Sequence, residues 1–556
     1  MCPSIYRHIT TPIFYPNASP HLGHLYSSLL ADVQHRWNQL QLYNSKFTTG
    51  TDEHGLKIQQ AAIRNGYADP LKFVDTLTPK FKSLDAQYDI NYTNFIRTTD
   101  IKHIKNVKKL WEKCFQNGHI YKDIHQGWYS VSDETFYPES KIIKLENDDK
   151  EVKYVNTETN NEVTYHKETN YFFKLSDFQN QLIDLHSRKG LNAWIFPESK
   201  RLSLLNELKS TNLSDLSISR PSERLSWAIS VPNDSTQSIY VWFDALTNYI
   251  SSLGPLENLY NSDNNNNTML KYWSQTTHII GKDIMKFHCW YWPSFLLSAG
   301  LPLPKRVIIH DHWLSQGVKM SKSLGNVIDP MELPLQYGKD IIRWSILENS
   351  QLNHDNNFKN EDLSKCRNIF ISKWGNLINR CCNAKSKFDL SRAVNKTYGN
   401  ISSKDDFLNI WQEQSLSLVE NEQVDSIFNQ LESFQQTYSV KMETFQYNHI
   451  IKDIWKLIDQ LNLFIQTTKP WNKTNTNQRR QDAIIFLTMD ISRILSILTQ
   501  PIIPQLSNKF LDRIDVCPER RSFRDAKFGT DHTYGANAND PSKNVPIERK
   551  VASYEY

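Results

Sequence analysis

From Thr10 to Leu40 the chain reads TTPIFYPNASPHLGHLYSSLLADVQHRWNQL. A short apolar run is followed by a turn containing Pro and Gly, and then by a long helical pattern. Leu25, Leu29, Val33, Trp37 and Leu40 recur at helical spacing after the turn, which predicts an amphipathic helix with one buried stripe. A second stripe, Ile104, Val107, Trp111 and Cys114, ends near Gly118. Short β-like runs lie between these helices, so strand followed by helix repeats over residues 1–126. That repetition predicts one half of a doubly wound, Rossmann-like parallel sheet.

Outward from this segment the texture changes. Residues 127–220 hold short alternating runs, KEVKYV, NEVTYH and TNYFFKLS among them, and read as a β-rich insertion. The α/β texture resumes near Ile239, so residues 221–360 are expected to complete the sheet. Strand signals then vanish. Ile450, Ile454, Leu457, Leu461 and Phe464 keep a helical period, and residues 361–510 read as an all-α bundle. Asn264 to Asn267 form a surface loop, and residues 511–556, polar and weakly patterned, read as a tail.

The whole-chain arithmetic excludes several classes. A length of 556 residues rules out a single small module, and the 12% of aromatic residues supplies several cores. The 64 Lys and Arg against 60 Asp and Glu leave only +4, too little to mark a nucleic-acid binder by charge alone. Seven scattered cysteines with no C-x-x-C pair argue for a reducing compartment and against a disulfide scaffold. The apolar stretch Ala483 to Pro504 is broken by Asp490 and Arg493, so it reads as a buried helix and no membrane contact is expected. The first residues, MCPSIYRH, have no apolar core of a secretory signal.

Two motifs carry chemistry. Pro20 to His24, PHLGH, stands at a helix N-terminus, where unsatisfied N–H groups and a partial positive charge favour a phosphate. Gly23 permits close approach to the backbone there, and His21 and His24 offer imidazole donors. Taken alone, the same residues suit two surface histidines, or a weak metal pair. Lys319 to Ser323, KMSKS, puts Lys319 and Lys322 around Ser321 between Gly317 and Gly325. Such a cationic loop suits a leaving pyrophosphate, and alone it suits a solvated turn equally well. Together, at the carboxyl ends of strands in one sheet, the two motifs point to nucleotide chemistry.

PHLGH and KMSKS resemble the signature pair of class I aminoacyl-tRNA synthetases. The longer strings TTPIFYPN, TGTDEHGLKI, GWYSVSDETFYPES, KETNYFF, VWFDALTNY and GKDIMKFH resemble the methionyl-tRNA synthetase family, and the similarity runs from about Ile9 to Trp471. The resemblance implies L-methionine, ATP with Mg²⁺ and tRNA(Met) as substrates. It implies catalysis by His21, His24, Lys319 and Lys322, with Gly23 and Ser321 also on ATP. Methionine would lie among Ile13, Tyr15, Asp52, Trp242, Ala245, Tyr249, Ile284 and His288. Aromatic and aliphatic walls suit a polarizable thioether, and Asp52 suits the α-ammonium. Trp242 is expected at the end of the strand-like run IYVWF, ahead of a helix carrying Ala245 and Tyr249. Asn376, Arg380 and Trp471 correspond to anticodon-reading positions of the helical domain. The shorter bacterial and organellar type of the family implies a monomer in the mitochondrial matrix, with the cytoplasm as alternative.

Two departures from the family pattern stand out. Leu246 occupies a position where some members have proline, and residues 127–220 contain no cysteine, so the zinc knuckle of many members is not expected. Trp128, Tyr129, Phe136, Tyr171, Phe172 and Phe173 would hold the insertion by packing. The competing readings are another class I synthetase and a non-catalytic tRNA-binding protein that keeps the fold. The insertion is too short for an editing domain, and both phosphate motifs are complete.

Overall fold

The computed structural model describes residues 5–130, 135–146, 152–260, 267–315, 317–320, 328–382, 388–472, 476–538 and 540. In the first half, β1 (Tyr6–Thr10) leads into α1 (Leu22–Leu40), β2 (Asn44–Thr51), α2 (Pro70–Gln87), β3 (Asn94–Arg97) and α3 (Ile101–Gln116). The insertion is built on the long antiparallel pair β4 (Ile120–Ser130) and β5 (Thr164–Phe173). Next come β6 (Ile195–Phe196), β7 (Asp234–Ile239), α4 (Val241–Leu246), β8 (Thr276–Gly281) and β9 (Arg306–His310). The main sheet runs β3-β2-β1-β8-β9-β6 with every neighbouring pair parallel.

That order reverses between β1 and β8, which opens a crevice at the carboxyl ends of those strands. Buried polar rungs tie the strands beneath it. His8 bridges the hydroxyls of Thr276 and Thr48, each at 3.0 Å, and Thr10 meets His278 Nδ1 at 2.8 Å. Burial drives His8 down to about 3, so the rung is neutral near pH 7.

α5 (Lys339–Glu348) leads to the helical part, which comprises α6 (Asn376–Cys382), α7 (Leu418–Glu443), α8 (Tyr447–Thr468), α9 (Gln478–Leu498) and α10 (Pro504–Arg513). The predicted stripes are the buried faces: Leu25, Leu29, Val33 and Trp37 of α1, and Ile450, Ile454, Leu457, Leu461 and Phe464 of α8, are shut off from solvent. One apolar core runs from Ile9 through α1 into α7, α8 and α9. No helix among the described residues is long and apolar enough to cross a membrane.

Three boundaries differ from the sequence reading. The expected tail from 511 is folded as far as 538, with Ile514, Val516, Ala526, Phe528 and Tyr534 buried in the helical core. Its backbone is tied to the buried charges of α9. The buried Asp490 carboxylate accepts from the Gly529 N–H, and Arg493 Nη1 donates to the Asp525 carbonyl. The expected insertion 127–220 also begins early, at Ile120, and it includes β6, which belongs to the edge of the main sheet. Finally, β7 joins a small antiparallel sheet and not the parallel one.

Candidate active site

The crevice between β1 and β8 is a cavity of about 610 Å³. Its lining includes His21, Gly23 and His24 from the start of α1, Met320 from the second motif, and every residue expected around methionine. Chain segments leaving β1, β2, β8 and β9 therefore converge on one space. Ser321 and Lys322 lie outside the described residues. Lys319 pairs with Leu314 through its backbone, and its side chain is also outside them.

The first motif is a self-capped helix start. His21 is the N-cap of α1, and its Nδ1 accepts the Gly23 N–H at 3.0 Å, while His24 Nδ1 accepts the His21 N–H at 3.0 Å. With each Nδ1 occupied as acceptor, each neutral ring carries its proton on Nε2. The rings lie 4.0 Å apart between centroids, and His24 is wedged between the edges of Phe14 and Phe81. The group that approaches the Gly23 backbone is the His21 ring itself, because a β-carbon there would meet His21 Cε1 at 2.9 Å.

Asp52 reaches the cavity because its two neighbours anchor the chain. Glu53 is buried and accepts from Thr51, Thr78, Thr99 and Arg97, the last through Nε at 2.7 Å. His54 Nδ1 meets the buried Asp244 at 2.7 Å, and His103 Nε2 meets its other oxygen at 2.7 Å. Burial acts to raise Asp244, but the two imidazoles outweigh it and hold the carboxyl below its ordinary value. Asp244 stands on α4, so this link also fixes the helix that carries Trp242 and Ala245.

The structure corrects the expected position of Trp242. The strand ends at Ile239 and the helix starts at Val241, so Trp242 is already helical and shares a face with Ala245 and Tyr249. Opposite, a π-type turn over Phe287–Tyr291 aims two side chains at that face. Phe287 stacks on Trp242 at 3.8 Å between centroids, and His288 Nε2 meets the Tyr249 hydroxyl at 2.6 Å. His288 Nδ1 meets the Ile284 carbonyl at 2.9 Å, so Nδ1 is the donor and Nε2 accepts from the tyrosine. Burial takes His288 down to about 4, which keeps this relay neutral.

Sequence reading missed the floor of the cavity. His310 ends β9, Asp311 and His312 follow it, and all three line the cavity. His310 Nε2 meets Ser27 Oγ of α1 at 2.8 Å, Asp311 holds Lys200 at 2.6 Å, and His312 Nε2 meets Asp283 at 3.0 Å. The signal was available as RVIIHDHW, an apolar run ending in a polar cluster, as expected at the carboxyl end of a buried parallel strand.

A second surface lies in the helical part. Asn376 opens α6 exposed, Arg380 sits one turn later, and the Arg380 guanidinium lies 5.3 Å from the ring centroid of Trp471. Lys469 ends α8 in the left-handed region at φ 46°, and the turn leaves Trp471 about half exposed. Arg380 and Trp471 thus meet, and Asn376 lies one turn before Arg380 on the same helix.

A Rossmann-type sheet whose first helix is capped by histidine, with a connective insertion and a C-terminal helical bundle, defines a class I aminoacyl-tRNA synthetase. Residues 7–382 match the family described as tRNA synthetases class I (M), and residues 416–530 match the anticodon binding domain of methionyl tRNA ligase. The chain belongs to the methionyl-tRNA synthetases, and its reaction is the ATP-dependent ligation of methionine to tRNA. It is 51% identical to the mitochondrial methionine–tRNA ligase of Saccharomyces cerevisiae, over 98% of this chain and 95% of that one. To the mitochondrial enzyme of Candida albicans it is 42% identical, over 98% and 95%. A Mycobacterium tuberculosis methionyl-tRNA synthetase solved with methionyl-adenylate superimposes with a TM-score of 0.81 at 31% identity, covering 96% of this chain and 97% of that one.

Proposed function

We propose that the cavity binds methionine and MgATP side by side and that the enzyme works by alignment and charge stabilisation. The methionine carboxylate is ionised near neutral pH and attacks the α-phosphorus directly, so no general base is required. The Nε2–H groups of His21 and His24 donate to the phosphates, and Lys322, with Lys319, neutralises the leaving pyrophosphate. Asp52 holds the α-ammonium. Ile13, Tyr15, Trp242, Ala245 and Ile284 enclose the thioether, with Tyr249 and His288 as the polar end of that wall. The observation that carries this reading is that the phosphate helix and all the methionine-side residues line one cavity at the switch point of the sheet.

In the second step the terminal adenosine hydroxyl of tRNA(Met) attacks the acyl carbonyl. Trp471 stacks on an anticodon base, while Arg380 and Asn376 read base edges, a reading supported by the Arg380–Trp471 contact. The enzyme is a monomer of the mitochondrial matrix, in keeping with its mitochondrial relatives. It works without structural zinc. The insertion lacks cysteine, and Tyr129 of β4 is buried under the guanidinium groups of Arg220 and Arg224 at 5.2 and 4.2 Å from its ring centroid. One tightly held zinc per purified chain overturns that point.

Amino-acid-dependent ATP–pyrophosphate exchange tests the site. Methionine alone should support exchange, and Lys322→Ala should slow it by roughly 10²- to 10³-fold with little change in methionine binding. Exchange near wild type in that variant removes Lys322 from the mechanism. Trp471→Ala should raise KM for tRNA in the charging assay, and parallel loss of charging and exchange assigns it to folding instead.

A further inference from the structure

The phosphate helix and the helix that leads to Trp471 meet at one buried polar joint. α1 begins in the cavity with His21, and its second half leaves the catalytic sheet for the bundle. There the Gln34 side-chain amide donates to the Tyr447 hydroxyl at 2.8 Å and to the Met442 carbonyl. Met442 lies in the last turn of α7 and Tyr447 opens α8, so a single side chain grips the turn between the two longest helices among the described residues. α8 then runs 22 residues, about 33 Å at the rise of an α-helix, to the turn that presents Trp471.

Gln34 is 2% exposed, and so is Tyr447. A buried primary amide is costly unless its donors are used, and here both bonds go across to the bundle and none to its own domain. An apolar residue of similar size would fill the same space, so packing alone does not demand glutamine. The directional bonds fix the angular setting of α8 against α1.

We infer that Gln34 is a positioning residue for aminoacyl transfer: it sets the geometry between the helix that holds the phosphates and the helix that ends at the tRNA-contacting tip. The inference rests on the reading of Trp471 as a tRNA contact. Two rigid helices and one joint act as a ruler. A tRNA held at the Trp471 end then delivers its terminal adenosine to the adenylate only when the joint is set. Adenylate formation uses the cavity alone and does not need the ruler.

The test uses the full-length enzyme with Gln34→Leu, and Tyr447→Phe as the milder variant that keeps the bond to Met442. Each is measured for pyrophosphate exchange, for single-turnover transfer from preformed adenylate to tRNA, and for KM of tRNA, with thermal melting as a control. The expected result is exchange within about 2-fold of wild type, transfer slowed about 10-fold by Gln34→Leu and less by Tyr447→Phe, and KM for tRNA little changed. Transfer at the wild-type rate in a folded Gln34→Leu enzyme, or an equal fall in exchange and transfer, overturns the inference. Should Gln34→Leu fail to fold, an unchanged transfer rate in Tyr447→Phe overturns it. Trp471→Ala measured alongside separates the two readings: an unchanged KM for tRNA there removes the anticodon assignment, whereas slow transfer in Gln34→Leu still reports the joint.

Discussion

At Gly23 a side chain has no room, since its β-carbon would press on the His21 ring that folds back over it. Gly23→Ala should therefore displace the imidazole and break the bond from the Gly23 N–H to Nδ1. Exchange should fall by about 10-fold or more, the cost of misplacing a phosphate donor by a few tenths of an ångström, with KM for methionine unchanged. A variant with normal exchange shows that the ring can relax without loss. The methionine side depends equally on single atoms. Tyr249→Phe leaves the buried Nε2 of His288 without its donor, worth about 1 to 2 kcal/mol, so KM for methionine should rise about 10-fold. Because burial holds His288 near 4, that KM should stay flat between pH 6 and 8 as far as this imidazole is concerned. A rise in KM at pH 6 refutes the neutral relay.

Among the elements, α1 and α5 share a second polar node with the bundle. Arg343 of α5 is fully buried, pairs with Asp32 of α1 at 2.7 Å, and donates to the carbonyls of Tyr88, Pro501 and Ile502 at 3.0, 3.0 and 2.8 Å. Asp32 keeps Arg36 at 2.8 Å, so Arg343→Met does not strand it wholly, but the carbonyls lose their donor. The expected loss is about 3 kcal/mol, read as a lower urea midpoint with unchanged slope. The elements also show what a sequence can disclose. α1, α3 and α8 were legible because their stripes keep the helical period over several turns, and the helix start at His21 was legible because a Pro- and Gly-containing turn precedes its stripe. The strand over IYVWF was misread because aromatic and β-branched residues suit a buried helix start as well as a strand. β6, only two residues long, is too short for any pattern. The segment after Arg513 was misread because its buried residues are irregularly spaced among charges, and its backbone finds the buried Asp490 and Arg493 only in the tertiary fold.

For the whole molecule, buried neutral imidazoles set the response to acid. His8, His35, His186, His278, His288 and His310 all have pKa values lowered by burial, those of His35, His186 and His310 to about 4. Each binds a proton in the unfolded chain near its ordinary value of about 6.5 but not in the fold, so the unfolded state carries more protons below that pH. Stability is therefore lost as pH falls from about 6.5 towards 4. One unit below 6.5 the cost is about 1.4 kcal/mol for each such group. Asp85, raised by burial to about 8, and Asp340, raised to about 6, act in the opposite sense and are outnumbered. The urea midpoint should drop between pH 7 and 5.5, and His8→Asn should flatten that drop. A midpoint independent of pH across this window shows that the imidazoles are protonated in the fold.

Trp37 on α1 packs its ring against Phe523, with centroids 4.9 Å apart. Phe523 lies far beyond Trp37 in the sequence, so in vectorial synthesis α1 is made well before this partner. Until Phe523 arrives, the Trp37 end of the helix capped by His21 lacks this part of its apolar cover. A chaperone that binds exposed apolar surface would find the Trp37 end of α1 open during that interval.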